Sequence, residues 1–221
     1  RRIIQEWEER DTGEPLFMHA VTMQNHTSYN EENYPEDELV DVVKAPEGIS
    51  EKTLGALRDF ATGVKEADAM LGELTDYFAQ VDEPVILVFW GDHYNPIGSG
   101  YEVYNATGYA SASNSEAPEL HQMPLLIWSN YWDEPVDIGT VGAYEISPVT
   151  FELYGLEQPG LFDHLIDQLS AYRSRTHGVT IQPDGSADTE TLTDEQNRWF
   201  DEHWMLQYDL MFGQEYALGK K

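Results

Sequence analysis

The tightest constraint on the fold is an unbroken apolar run, Val85-Ile86-Leu87-Val88-Phe89-Trp90, that stops abruptly at Gly91-Asp92-His93. Its length and β-branched content read as a strand. Its continuous apolarity reads as a strand buried on both faces, as in a parallel sheet. Upstream, Ser50 is a helix N-cap, and Leu54, Leu57, Val64, Ala67, Leu71, Leu74 and Phe78 keep helical spacing to about residue 80. Asp82-Glu83-Pro84 ends that helix. Leu16 to Met23 reads as a second buried strand and Met123 to Trp128 as a third. Helices are expected over Ala143–Tyr154, ended by Gly155, over Gly160–Tyr172, and from Thr193 onward, where Thr193 and Gln196 resemble a capping box. Val179-Thr180-Ile181 followed by Pro183-Asp184-Gly185 predicts a small hairpin. Residues 1–10 carry Ile3, Ile4 and Trp7 on one helical face. Strands alternating with helices predict an α/β layered domain with a mainly parallel sheet flanked by helices.

Two long polar segments, residues 24–46 and 94–122, interrupt this pattern. Long loops in compact domains are often functional. Each follows an expected strand, and ligand sites in open α/β sheets lie at the carboxyl ends of strands. One loop opens with Asn25-His26 and the other with Asp92-His93. Carboxylate and neutral imidazole are good ligands for Zn or Mn, and Gly91 allows a turn that brings both to one ion. Equally, Asp92 can cap a turn and His93 can pack in the core. If the two strands are neighbours, His26 and His93 face one crevice. There His26 can bind an anionic oxygen or donate a proton to a leaving group. His19 lies within an expected strand and reads as packed. His121, His164, His177 and His203 carry no comparable context. The aromatic run Trp199, Phe200, Trp204, Tyr208 reads as core or docking surface.

Composition narrows the chemistry. The 221 residues suffice for one sizeable core, and one domain is expected. The net charge of −29, from 41 acidic and 12 basic side chains, repels nucleic acid and anionic lipid. A phosphate-bearing substrate is repelled too, unless a local cation reverses the sign at the site. The absence of Cys excludes thiolate chemistry, disulfides and Cys-ligated metal. There is no Gly-x-Ser-x-Gly elbow, no P-loop and no Gly-x-Gly-x-x-Gly. No apolar run has the length of about 18 residues that a spanning helix needs. The opening Arg1-Arg2-Ile3-Ile4-Gln5-Glu6-Trp7 resembles neither a signal peptide nor an initiator Met, and it predicts a chain cut from a longer protein.

Five segments taken together resemble the lipoteichoic acid synthase and phosphoglycerol transferase family, which is sulfatase-like and belongs to the alkaline phosphatase superfamily. They are Phe17–Tyr29 around His26, Val88–His93, Met123–Asn130, Glu145–Leu156 and Leu206–Gly213, in the family's order. The resemblance implies an alkaline phosphatase-type α/β fold, of which residues 1–221 are the C-terminal part of a single catalytic domain. It implies Asp92 and His93 as metal ligands and His26 as a substrate-phosphate contact. The cofactor implied is a divalent ion, Mn or Mg, with Zn or Ca possible. The family's metal-binding Glu and nucleophilic Thr lie upstream of the counterpart of His26. Thr12 and Thr22 stand in the wrong context, so this chain alone is expected to be inactive and to bind metal weakly.

The activity implied is transfer of glycerol phosphate from a phosphatidylglycerol-type lipid to a glycolipid or polymer acceptor. It would occur at the extracellular face of the bacterial cell membrane, reached through an N-terminal membrane region outside this chain. Two alternatives stand beside it. One is a sulfatase or phosphodiesterase that hydrolyses a soluble ester; the other is a non-catalytic sulfatase-like ectodomain.

Overall fold

The computed structural model describes residues 1–11, 13–30, 32–110, 117–176, 178–189 and 191–219. Thr12 and His177 lie outside the described residues. The chain divides into two compact units, Arg1–Ser115 with Met123–Glu134, and Glu116–Gln122 with Pro135–Lys221.

The first unit is organised by a 28-residue helix. Following α1 (Arg2–Glu9), α2 spans Glu51–Phe78. The expected cap forms, with Ser50 Oγ accepting from Thr53 N at 3.2 Å. The buried face of α2 is made of small or polar residues: Thr53, Gly55, Ala56, Asp59, Thr62 and Gly63. Such a face lets backbone approach closely. The long segment after residue 24 lies on it. Asp59 Oδ2 accepts from Asn30 N at 3.1 Å and from Asn33 Nδ2 at 2.5 Å. Thr62 Oγ1 accepts from Val40 N at 3.0 Å. At the far end, Leu74 and Phe78 are buried, and Trp7 of α1 meets Phe78 edge-on at 5.3 Å.

β1 (Ile86–Trp90) and β2 (Leu125–Ser129) fall where the apolar runs placed them. They pair antiparallel, with Ile86 opposite Ser129, Val88 opposite Ile127 and Trp90 opposite Leu125. This corrects the expectation of a mainly parallel sheet: both sheets among the described residues are antiparallel. A parallel crossover usually needs a helix that runs back the length of the strand. The helix between these strands, α3 (Glu102–Thr107), has six residues and rises only about 9 Å. β1 is also half-buried rather than buried on both faces. Apolar continuity identified a strand but carried no information about the direction of its partner.

The strand expected over Leu16–Met23 does not form. Leu16–Met23 takes no regular secondary structure and pairs with no strand among the described residues, and Phe17, Val21 and Met23 are 90%, 71% and 64% exposed. Strand propensity is realised only against a neighbour. His19 is likewise exposed, and its ring lies 5.9 Å from Trp90.

In the second unit a 3₁₀ turn at Ala143–Glu145 leads into α4 (Ile146–Tyr154), which ends at Gly155 with φ +60°. α5 spans Gly160–Gln168, shorter than expected, and Phe162 meets Phe151 edge-on at 5.2 Å. β3 (Ser174–Thr176), β4 (Val179–Ile181) and β5 (Ala187–Asp188) form a three-stranded antiparallel sheet. Asp184 and Gly185 turn the chain between the last two, as expected. α6 (Asp194–Phe212) starts with the predicted capping box, in which Gln196 N donates to Thr193 Oγ1 and Thr193 N to Gln196 Oε1, each at 3.1 Å. Phe200 stacks on the buried Tyr172 at 4.6 Å, whereas Trp204 and Tyr208 are exposed.

Candidate functional site

Asp92 and His93 follow the last residue of β1. The ladder with β2 persists one step further, since Gly91 N donates to Pro124 O at 3.3 Å. A Cβ on Gly91 would lie 2.5 Å from Met123 Cε, so Met123 packs directly over this glycine. Beyond it the chain turns outward. Asp92 and His93 side chains are 82% and 58% exposed, with His93 Nε2 3.6 Å from Asp92 Oδ2.

The His93 ring is oriented by its other nitrogen. Tyr94 O lies 3.0 Å from Nδ1, and a carbonyl can only accept, so Nδ1 carries the proton. In the neutral ring the lone pair is then on Nε2, the atom that faces Asp92. Metal-bound histidines are typically held this way by a backbone carbonyl. One carboxylate oxygen and one imidazole nitrogen are suitable donors for Mn, Mg or Zn. The pair fits as two ligands of a larger set. Among the described residues no group of three or more His, Cys, Asp and Glu stands ready to hold an ion.

His26 shows the same local geometry. Its Nδ1 donates to Thr27 O at 2.9 Å, and the exposed ring leaves Nε2 for an external group. Two contacts fix the loop that carries it. The Asn25 side chain fills the space that a Cβ on Gly63 would occupy. Tyr29 OH donates to Asn25 O at 2.8 Å, and the Tyr29 ring meets Phe60 edge-on at 5.4 Å.

Both loops therefore rest on α2. Tyr29, Leu57, Phe60 and Tyr104 pack against a buried cluster of Ala56, Ile97 and Val103. Tyr29 has its phenol pushed up to about 12, first by burial and then by the charges of Tyr104, Asp59 and Asp92. The Asp92 carboxylate thus lies within electrostatic reach of the Tyr29 hydroxyl that holds Asn25.

A cleft of about 380 Å³ opens between the two loops and the start of α2. Its lining includes Thr27, Ser28, Lys52, Thr53, Ser99 and Glu102. Glu102 crosses to the first turn of α2, where it accepts from Ser50 N at 2.6 Å and from Thr53 Oγ1. The Thr53 hydroxyl and then Ser50 N hold its carboxyl below the usual glutamate range. Sequence reasoning found Ser50 only as a cap and missed Glu102, Thr53 and Tyr29. The Gly98-Ser99-Gly100 tract was the available signal, because such a tract permits left-handed turns. Gly98 has φ +83°, and a Cβ there would meet Thr53 Cγ2 at 2.6 Å.

Of the weaker histidines, His164 and His203 lie in the second unit. Their rings contact Trp199 and Tyr144, at 4.9 and 5.0 Å. Burial lowers the pKa of both.

Residues 2–155 match the profile of the sulfatase family over most of the chain. The chain belongs to the sulfatase family. Asp92, His93 and His26 all fall within the matched segment of this sulfatase-family chain. It is 29% identical over 212 residues to a Rhizobium meliloti (strain 1021) protein named for cyclic beta-1,2-glucan modification, covering 92% of this chain and 32% of that protein. Its fold is similar to that of Streptococcus pyogenes phosphoglycerol transferase GacH, solved in complex with sn-glycerol-1-phosphate. That similarity has a TM-score of 0.69 at 20% identity and covers 96% of this chain and 48% of GacH. The chain thus spans about a third of the one relative and about half of the other. Among the described residues no helix is long and apolar enough to cross a membrane.

Proposed function

We propose that residues 1–221 are the C-terminal part of the single catalytic domain of a metal-dependent phosphoglycerol transferase. The enzyme moves glycerol phosphate from a phosphatidylglycerol-type lipid to a saccharide acceptor, a glycolipid or a glucan polymer. It works at the extracellular face of the bacterial cell membrane. The observation that carries this reading is the exposed Asp92–His93 pair at the end of β1 in a sulfatase-family chain. The likeness to a transferase solved with glycerol phosphate supports the donor group. The relative named for glucan modification supports the acceptor.

Asp92 and His93 Nε2 would hold a divalent ion, Mn or Mg, together with ligands from outside this chain. When bound, the ion supplies positive charge that polarises the phosphoryl group and offsets the repulsion of an anionic donor by a chain of net charge −29. His26 presents Nε2 to a phosphate or leaving-group oxygen, because Nδ1 is committed to Thr27 O. Over the whole reaction, the acceptor hydroxyl oxygen bonds to phosphorus and the bond from phosphorus to the diacylglycerol oxygen breaks. The hydroxyl proton ends on diacylglycerol, and His26 Nε2 would relay it. The family's nucleophilic Thr would divide this into two displacements.

The test is to incubate the longer protein that carries this chain with phosphatidylglycerol vesicles, Mn and a neutral glucan. Glucan gaining phosphoglycerol, and a His26→Ala variant slower by about 10² or more, would agree. Release of free glycerol phosphate with unmodified glucan would favour the second reading, a hydrolase of phosphate or sulfate esters, to which sulfatase membership also lends support.

A further inference from the structure

We propose that the cleft between the Ser50 end of α2 and the loop after His93 is a subsite for a neutral saccharide, which holds the acceptor. This rests on the transferase reading, and it adds where the acceptor sits and which residues select it.

The lining is that of a polyol site. Thr27, Ser28, Ser50, Thr53 and Ser99 are five hydroxyl residues in the lining of one cleft of about 380 Å³, and the Ser50 and Thr53 hydroxyls are bonded to each other and to Glu102. That volume falls in the range of small-ligand sites. Hydroxyls can donate and accept, which suits a ligand whose own groups are hydroxyls. Lys52 adds a donor.

Glu102 decides the charge of the occupant. Its carboxylate already sits at the N-terminal end of α2, the position that would otherwise attract an anionic ligand. Thr53 and Ser50 keep it ionised to lower pH than a usual glutamate. It offsets the positive charge of Lys52 in the same lining, so the cleft presents no net cation to a phosphate, whereas a sugar hydroxyl can donate to the carboxylate. Donor phosphate and acceptor sugar are thereby separated: the phosphate belongs near Asp92 and His93, and the sugar belongs beside Glu102.

Tyr29 adds an aromatic ring to the same lining. A sugar ring offers an apolar C–H face and a rim of hydroxyls, and a tyrosine beside hydroxyl side chains is complementary to both.

The test is an NMR titration of the protein with a linear β-1,2-linked glucotriose, read at backbone amides. Shifts should concentrate at residues 27–29, 50–53 and 98–102. Ser99→Trp, which fills the cleft, should weaken binding at least about tenfold. Glu102→Gln preserves the shape and removes the charge. It should also weaken the sugar and allow glycerol phosphate to shift the same amides, which it should not do in the unaltered protein. The subsite is overturned if those amides stay still. It is equally overturned if a folded Ser99→Trp variant binds as before, or if glycerol phosphate occupies the unaltered cleft. In the transfer assay the two proposals separate. Sugar binding without transfer removes the transferase reading and leaves the subsite. Transfer with an unchanged acceptor KM in Ser99→Trp removes the subsite and leaves the transferase.

Discussion

The side chain of Asn25 occupies the space that a Cβ on Gly63 would fill, in the middle of a 28-residue helix. Glycine inside a helix is unfavourable by about 1 kcal/mol relative to alanine. At position 63 it buys close contact between α2 and the residue that precedes His26. Gly63→Ala should therefore lose the propensity gain and displace the Asn25–His26 loop. The expected result is a folded protein with altered His26 ring resonances and no increase in stability, measured by NMR and urea unfolding.

Asn130 ties the end of α2 to the start of β1. Its Oδ1 accepts from Val85 N at 2.8 Å, and its Nδ2 reaches the carbonyls of Val81 and Glu83, each at 2.9 Å. Asn130→Ala would leave several of these groups without a partner. A loss of about 2–3 kcal/mol is expected in urea unfolding. Val85→Ala, which keeps the backbone bonds, should cost less.

The α2 cap, the Thr193–Gln196 box and the Gly155 stop were legible because each is a local signal within a few residues. β1 and β2 were legible as strands because apolar runs of that length have few alternatives. Their antiparallel pairing was not legible, since direction depends on the 34 residues between Trp90 and Leu125 and on how α3 returns the chain. Leu16–Met23 read as a strand from composition alone, and composition cannot say whether a partner strand stands beside it. Asp92, His93 and His26 stood out by their places after expected strands. Glu102 did not, because its partners Ser50 and Thr53 lie about 50 residues away and only folding brings them together.

Glu145 provides a pH test of the second unit. It is fully buried, accepts from Gly142 N at 2.5 Å and from Gln168 Nε2 at 2.6 Å, and burial raises its pKa from 4.5 to about 7 against the opposing pull of Gly142 N and Arg173. The folded state holds this proton more tightly than the unfolded chain does. The contribution to stability is therefore fully present below pH 4.5 and is lost as pH rises through about 7. Its size is on the order of 3 kcal/mol. Glu145→Gln, neutral at every pH, should flatten that part of the stability profile measured by urea unfolding between pH 5 and pH 8.

The most direct test of the proposed site is a Mn titration followed at the histidine ring signals. The His93 and His26 signals should broaden together, at concentrations below those that affect His164 and His203. Asp92→Asn should raise the required Mn by about tenfold. If Mn instead broadens signals over the acidic surface while His93 and His26 stay sharp, Asp92 and His93 do not hold a metal ion beside His26 and the transferase assignment falls with it.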